Sequence, residues 1–261
     1  MITIIMPVSR PDFLKRIFVQ LELLDCDRSN TNLLCYVDGS LELFQETRNL
    51  VVNSKFREKL CVYRRKGIGS VSSVHRRRER ISAIHNEIKT LIDKTDYILL
   101  IEDDTLIPLD TITKFHNLAM MKKYFGFITG VQIGRWGYKH IGAWVVDDIY
   151  NIKQITSIKK GKGIDEVDGA GLYCCFTTKE NYIKNLFKPF ENILGPDFDF
   201  GINLRRWGLK NYIDHSIHCD HLNKKETIQV FNSEVIRVRF DRDENEQFGW
   251  KQSILDEVAE K

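Results

Sequence analysis

Short apolar runs alternate with longer stretches whose apolar positions recur every three or four residues through the first half of the chain. The runs predict strands at residues 2–8, 33–37, 60–64, 97–102 and 125–131, and the longer periods predict helices at 11–24, 41–52, 73–92 and 109–123. Pro11 and Pro108 suit the first turns of the helices that follow them. Strands alternating with helices in this way build βαβ units and a mainly parallel sheet. Beyond residue 130 the texture changes. A glycine- and aromatic-rich stretch, Gly134-Arg135-Trp136-Gly137-Tyr138-Lys139-His140, precedes strand-like segments near 142–146 and 172–177. A helix at about 198–207 stops at Gly208, a fitting C-terminal cap, and residues 250–260 read as a final amphipathic helix.

Composition narrows the class. A chain of 261 residues with 43% hydrophobic side chains fills the core of one sizeable α/β domain. The expected division is a nucleotide-binding half to about residue 130, an acceptor-binding half to about 225, and a C-terminal extension over 226–261. No apolar run approaches the roughly 20 residues that cross a bilayer, and the N-terminal run is too short and lacks the basic flank of a signal peptide. A soluble, cytoplasmic protein without a membrane span is expected. The six cysteines form no CxxC pair and lie in or beside apolar segments, as buried reduced thiols do. The net charge is only +3, yet arginines cluster at Arg76-Arg77-Arg78, Arg205-Arg206 and Arg237 to Arg239, a pattern that suits either a solvated face or a polyanionic partner.

Three segments carry candidate chemistry. The apolar run Tyr97 to Ile101 ends in Glu102-Asp103-Asp104, so a buried strand delivers carboxylates at its C-terminal end, where open α/β sheets bind ligands. A diphosphate beside such acids is repelled unless a divalent cation lies between them, and hard oxygen ligands select Mg2+ or Mn2+. Asp104 is the candidate metal ligand, with Glu102 and Asp103 near the ribose or supporting the site. Asp197 falls at the start of the helix that ends at Gly208, where free N–H groups favour an ionised carboxylate able to take a proton from a hydroxyl. The stretch Asp214-His215-Ser216-Ile217-His218-Cys219-Asp220-His221 offers imidazoles that suit Mn2+.

In this order the segments resemble the GT-A glycosyltransferases, in particular the inverting family 2 enzymes that use nucleotide-diphosphate sugars. The resemblance spans about residues 1–222. Ile4-Ile5-Met6-Pro7-Val8-Ser9-Arg10 resembles the opening strand and first nucleotide-binding loop, which implies donor contacts from Pro7, Val8 and Ser9. Val37-Asp38-Gly39-Ser40 is similar to the second strand's ending, with Asp38 facing a uracil ring, and Arg80 to Asn86 to the helix whose Arg and Asn face the nucleotide. Glu102-Asp103-Asp104 takes the place of the DxD motif. Asp168 and Gly169 resemble the small-residue strand lining donor sugar and acceptor, Asp197 inherits the role of catalytic base with Asp199 beside the substrate, and His221 inherits the metal-ligand role ahead of His218. Pro196 stands where the family usually has Glu, and Asn203 where it often has Arg.

The resemblance implies a metal-dependent inverting transfer from a UDP-sugar to an acceptor hydroxyl. A saccharide or glycoconjugate is the ordinary acceptor, with Trp136, Tyr138 and Trp144 available to stack on sugar rings or to fill the core. Duplex DNA carrying hydroxymethylated pyrimidines is the alternative that the arginine clusters accommodate. A non-catalytic sugar- or nucleic-acid-binding module is the third reading. A nucleotidyltransferase fits less well, because Pro7-Val8-Ser9-Arg10-Pro11 is not a Gly-rich triphosphate loop.

Overall fold

The computed structural model describes residues 1–64, 74–132, 141–148, 151–154, 163–188, 195–223, 226–231 and 234–239. The elements run β1 (Ile2–Val8), α1 (Leu14–Leu23), β2 (Thr31–Val37), α2 (Leu41–Asn53), β3 (Lys59–Tyr63), α3 (Val74–Ile88), β4 (Tyr97–Ile101), β5 (Thr105–Leu106), α4 (Thr111–Met121) and β6 (Phe125–Gln132). They continue with β7 (Ala143–Asp148), β8 (Asn151–Gln154), β9 (Ile164–Val167), β10 (Gly169–Ala170), β11 (Cys174–Thr178), α5 (Lys179–Lys184), α6 (Pro196–Arg206), β12 (Lys210–Leu222), β13 (Glu226–Phe231) and β14 (Glu234–Arg239).

Among the described residues the main sheet has the order β14-β13-β12-β6-β11-β4-β1-β2-β3, with β5 and β9 both paired to β12. Strands β3, β2, β1 and β4 are mutually parallel, β11 runs against its neighbours β4 and β6, and β12 is parallel to β6. A small antiparallel sheet, β10-β7-β8, stands apart. The fold is therefore α/β with a mixed, mainly parallel sheet. From β1 the chain first builds outward through β2 and β3 and then returns to the other side of β1 as β4. The strand order reverses between β1 and β4, and the crevice outside the carboxyl ends of such a pair is where doubly wound sheets bind ligands.

Period-2 alternation explains why the strands are apolar on both faces. Ile4, Met6, Val8, Leu33, Cys35, Val37, Leu99 and Ile101 face one core, closed by Leu14, Ile17, Phe18 and Leu21 of α1 and by Ile112, Phe115 and Leu118 of α4. Ile5, Leu34, Tyr36, Ile98 and Leu100 face the other, closed by Ile84 and Ile88 of α3 and by Phe200 and Leu204 of α6. Each fully buried Leu, Ile or Phe contributes about 1.5–3 kcal/mol, so this two-sided burial holds the β1 and β4 ends rigidly side by side.

Helix boundaries differ from the expected ones for local reasons. Pro11 and Pro108 lie in the turns that lead into α1 and α4, with Leu14 and Thr111 donating to their carbonyls at 3.2 Å, and the helices start after those turns. Helix α6 begins at Pro196 with Gly195 as N-cap, so Asp197 sits inside the first turn. At its end Gly208 takes φ +80°, with Gly208 N–H bonded to Arg205 O at 2.8 Å and Leu209 N–H to Leu204 O at 3.1 Å, the Schellman arrangement the glycine predicts. The long β12, which supplies the histidine-rich stretch, was not legible as one strand. Its register on β6 shifts twice, so its polar and apolar positions lose strict alternation. The final helix expected at 250–260 lies outside the described residues. Among the described residues no helix is long and apolar enough to cross a membrane.

Candidate active site

Parallel pairing aligns the carboxyl ends of β4, β1, β2 and β3, and each end delivers a charged residue. Asp103 and Asp104 follow β4, Ser9 and Arg10 follow β1, Asp38 follows β2 and Arg64 follows β3. Backbone bonds stitch these ends together: Asp38 N–H donates to Val8 O at 2.8 Å and Arg64 N–H to Val37 O at 2.8 Å. Pro7 and Val8 are residues of β1 opposite Tyr36 and Val37, and Val8 is buried.

Asp103 is saturated by the loop after β1. Its Oδ2 accepts from Ser9 N at 2.6 Å, Ser9 Oγ at 3.2 Å and Arg10 N at 2.8 Å, while Oδ1 accepts from Arg10 Nε at 2.8 Å and from Arg10 Nη2. It therefore shapes the Ser9–Arg10 loop. Arg10 continues to the next acid, with Nη1 2.5 Å from Asp104 Oδ2. Glu102 is partly buried, and its carbonyl closes the turn that carries both aspartates by accepting from Thr105 N at 3.2 Å.

His221 reaches this site from the far end of the chain. Strand β5, immediately after Asp104, pairs antiparallel with the end of β12 in the register His221 to Thr105. Leu222 N–H donates to Asp104 O at 2.8 Å. That pairing sets His221 Nε2 3.3 Å from Asp104 Oδ2, with the carboxylate fully buried and the imidazole 9% exposed. The structure thus brings together the two residues expected to bind metal. A carboxylate oxygen and an imidazole nitrogen, each bound at about 2.1 Å and roughly at right angles, stand about 3 Å apart, so this donor pair fits a divalent cation. It is a pair only: among the described residues no group of three His, Cys, Asp or Glu side chains gathers around one point.

Asp38 is buried and held by two arginines. Arg80 of α3 bonds its carboxylate through Nε and its carbonyl through Nη2 at 2.8 Å, and Arg64 Nη1 stands 3.5 Å away while its Nη2 reaches Glu87 at 3.1 Å. Tyr36 donates to the same Glu87, and burial raises its phenol well above the usual range. Ser40 caps α2 by accepting from Leu43 N at 3.2 Å. Asn86 clamps the segment after α5: its Nδ2 donates to Phe187 O at 2.8 Å and its Oδ1 accepts from Phe187 N at 3.2 Å.

On α6, burial raises the Asp197 carboxyl above its ordinary value, against the lowering effect of the helix's first N–H groups and of Arg78 on α3. The helix terminus alone predicts the opposite direction; desolvation outweighs it because it penalises only the charged form. Helix α3 thus sends Arg80 to Asp38 and sets Arg78 near Asp197, linking the two ends of the candidate site. Asp199 is buried and raised by the same cause, opposed by Arg206.

Asp168, between β9 and β10, accepts from Val146 N and pairs with Arg205 of α6. Gly169 lies opposite Trp144 of β7 in the small sheet, and Trp144 stacks on Phe198 at 5.5 Å. Trp136 and Tyr138 lie outside the described residues, as does the rest of the Gly134–His140 stretch. The residue that sequence reasoning passed over is Arg10. Its meeting with Asp103 and Asp104 depends on β1 and β4 being parallel neighbours, a strand order that residue order alone does not give.

No protein-family model matches the chain, and no curated protein sequence matches it. Solved structures do. A197 from STIV aligns over 95% of this chain and 98% of its own length at 14% identity and a TM-score of 0.50. The mannosyltransferase PcManGT from Pyrobaculum calidifontis, in complex with GDP-Man and Mn2+, aligns over 80% of this chain at 13% identity and TM-score 0.54. S. aureus TarS 1-349, in complex with UDP-GlcNAc, aligns over 94% at 10% identity and TM-score 0.53. The fold is that of the GT-A glycosyltransferases. The chain spans 53% of the mannosyltransferase and 59% of the TarS chain, and nearly all of A197. Within this GT-A fold, Asp103 and Asp104 stand at the strand-order reversal between β1 and β4, beside the end of β12 that supplies His221.

Proposed function

We propose that the chain is an inverting glycosyltransferase that moves a sugar from a nucleotide-diphosphate sugar, UDP-sugar being favoured, to an acceptor hydroxyl. The observation that carries this reading is the approach of His221 Nε2 to Asp104 Oδ2, 3.3 Å, at the carboxyl ends of the strands. Mn2+ or Mg2+ held by Asp104 and His221 would neutralise the charge developing on the departing diphosphate. Asp38 accepts from the uracil ring, with Arg80 and Arg64 fixing its orientation. Pro7, Val8 and Ser9 form the wall beside the nucleotide, and Asp103 keeps that wall in place. The neighbours that hold UDP-GlcNAc, UDP and GDP-Man support a nucleotide-sugar donor.

Asp197 takes the proton from the acceptor hydroxyl as that oxygen attacks the anomeric carbon from the face opposite the diphosphate, and configuration inverts. Its burial-raised carboxyl makes it a stronger base than an exposed aspartate once ionised. Asp168, Gly169 and Asp199 border the donor sugar and acceptor, with Asp168 oriented by Arg205. A saccharide acceptor is favoured, since the small sheet brings the aromatic Trp144 to this side.

The test is UDP release by the purified protein with a panel of UDP-sugars, with and without Mn2+, with saccharides or hydroxymethylated DNA as acceptor and product mass as readout. Saccharide-stimulated, Mn2+-dependent release is expected. DNA-stimulated release would replace the acceptor, and binding of UDP with no release from any donor would make the chain a binding module.

A further inference from the structure

The candidate cation position already has a cation beside it. Arg10 Nη1 lies 2.5 Å from Asp104 Oδ2, the same oxygen that His221 Nε2 approaches at 3.3 Å. The Arg10 side chain is 29% exposed, while the Asp103 and Asp104 side chains it joins are 3% and 0% exposed. Buried carboxylates need a compensating charge when no metal or ligand supplies one, and Arg10 supplies it to both.

The three nitrogens of Arg10 do not do the same work. Nε and Nη2 form the two-pronged hold on Asp103 Oδ1, and the backbone N–H of Arg10 binds Asp103 Oδ2. Nη1 alone serves Asp104. Asp104 can therefore lose its guanidinium contact while the side chain stays anchored to Asp103, which Ser9 also holds through N and Oγ. A divalent cation on Asp104 Oδ2 would stand within a few ångströms of Nη1, and two cations on one oxygen repel.

We propose that Arg10 is the resident counter-cation of the Asp103–Asp104 site, and that its Nη1 must leave Asp104 before a divalent cation binds there. This rests on the metal reading given under Proposed function. Arg10 thus holds metal affinity low in the donor-free protein and couples metal entry to arrival of the negatively charged diphosphate. It acts as a positioning residue, through Asp104 and not on the reacting atoms.

The experiment is an Mn2+ titration followed by electron paramagnetic resonance on the wild type, Arg10→Gln, Asp104→Asn and the double variant, with a thermal melt of each. Arg10→Gln is expected to bind Mn2+ at least tenfold more tightly than the wild type, and the double variant to lose that gain. Equal affinity of wild type and Arg10→Gln, both abolished by Asp104→Asn, would overturn the role of Arg10 and leave the metal reading standing. Absence of Mn2+ binding in both, with or without UDP, would overturn both. The wild type supplies a check free of folding effects: saturating Mg2+ with UDP should shift the Arg10 Nη resonances while Nε stays hydrogen-bonded. Unchanged Arg10 signals at saturation would refute the displacement.

Discussion

His221 Nε2 stands 3.3 Å from Asp104 Oδ2 because the last residues of β12 pair with β5, the two-residue strand that begins directly after Asp104. The backbone bond from Leu222 N to Asp104 O locks the two side chains to one another. Residues that act as one unit lose their function together. Asp104→Asn and His221→Ala should each lower kcat by about 10²-fold, the scale of a removed charge-stabilising group. The double variant should be little worse than either single one. Steady-state UDP release at one fixed excess of Mn2+ measures this, and strictly multiplicative losses would separate the two residues.

Asp197→Asn should reduce transfer by about 10²–10⁴-fold, as loss of a general base does, without lowering the melting temperature. The sign follows from the raised carboxyl. A group whose folded pKa exceeds its unfolded one destabilises the fold when ionised, an effect absent below the unfolded pKa and fully present above the folded one. The neutral amide removes that cost at pH 7. For the same reason the acid limb of the wild-type kcat profile should fall at a higher pH than an exposed aspartate gives, and an unperturbed limb near pH 4 would count against Asp197 as the base.

Gly201 of α6 meets the backbone of the Asp168–Gly169 turn with no side chain between them. A Cβ at Gly201 would lie 2.8 Å from Gly169 Cα and closer still to the Asp168 carbonyl oxygen, and neither backbone atom can swing away. Asn211 fills the remaining space by donating to Asp168 O at 3.1 Å and to Gly201 O at 3.0 Å. Gly201→Ala should cost about 1–3 kcal/mol, the range for overpacking, seen as a drop of several degrees in Tm. It should also raise KM for the donor, since it displaces Asp168 from Arg205.

His85 of α3 is buried between Tyr182 and Phe187, with Nδ1 2.8 Å from the Tyr182 hydroxyl and its ring 4.7 Å from Phe187. Burial, helped by the Lys89 charge, lowers its pKa to about 3. Between its ordinary value of about 6.5 and that folded value, the unfolded chain binds the proton and the folded chain does not. Stability should therefore fall as pH drops through this window. Denaturant melts from pH 7 to 4 should show a shallower slope in His85→Gln than in the wild type, and parallel slopes would contradict the assignment.

Much of the architecture is legible in residue order because it depends on neighbours one to four positions apart. The alternation Ile4-Ile5-Met6 and Leu99-Leu100-Ile101 marks strands buried on both faces, and Gly208 marks the end of α6 through its left-handed conformation. The acids after β4 follow from an apolar run that stops abruptly. Asn86 and Asp197 were less legible. The partners of Asn86 lie in the segment after α5, about a hundred residues away, and the desolvation that raises Asp197 opposes what its place in the first turn of α6 predicts.

By itself, then, the sequence determined a mainly parallel α/β sheet, the placing of Asp38, Asp103 and Asp104 at strand ends, and the pairing of a helix start with Asp197. Those features arise from side-chain alternation and turn chemistry, which are local. Only the tertiary structure decided that Arg10 joins Asp103 to Asp104, that Arg64 and Arg80 converge on Asp38, and that β12 returns to set His221 on Asp104. Which charge meets which depends on strand order and register across the sheet, and these are set by burial of two cores at once.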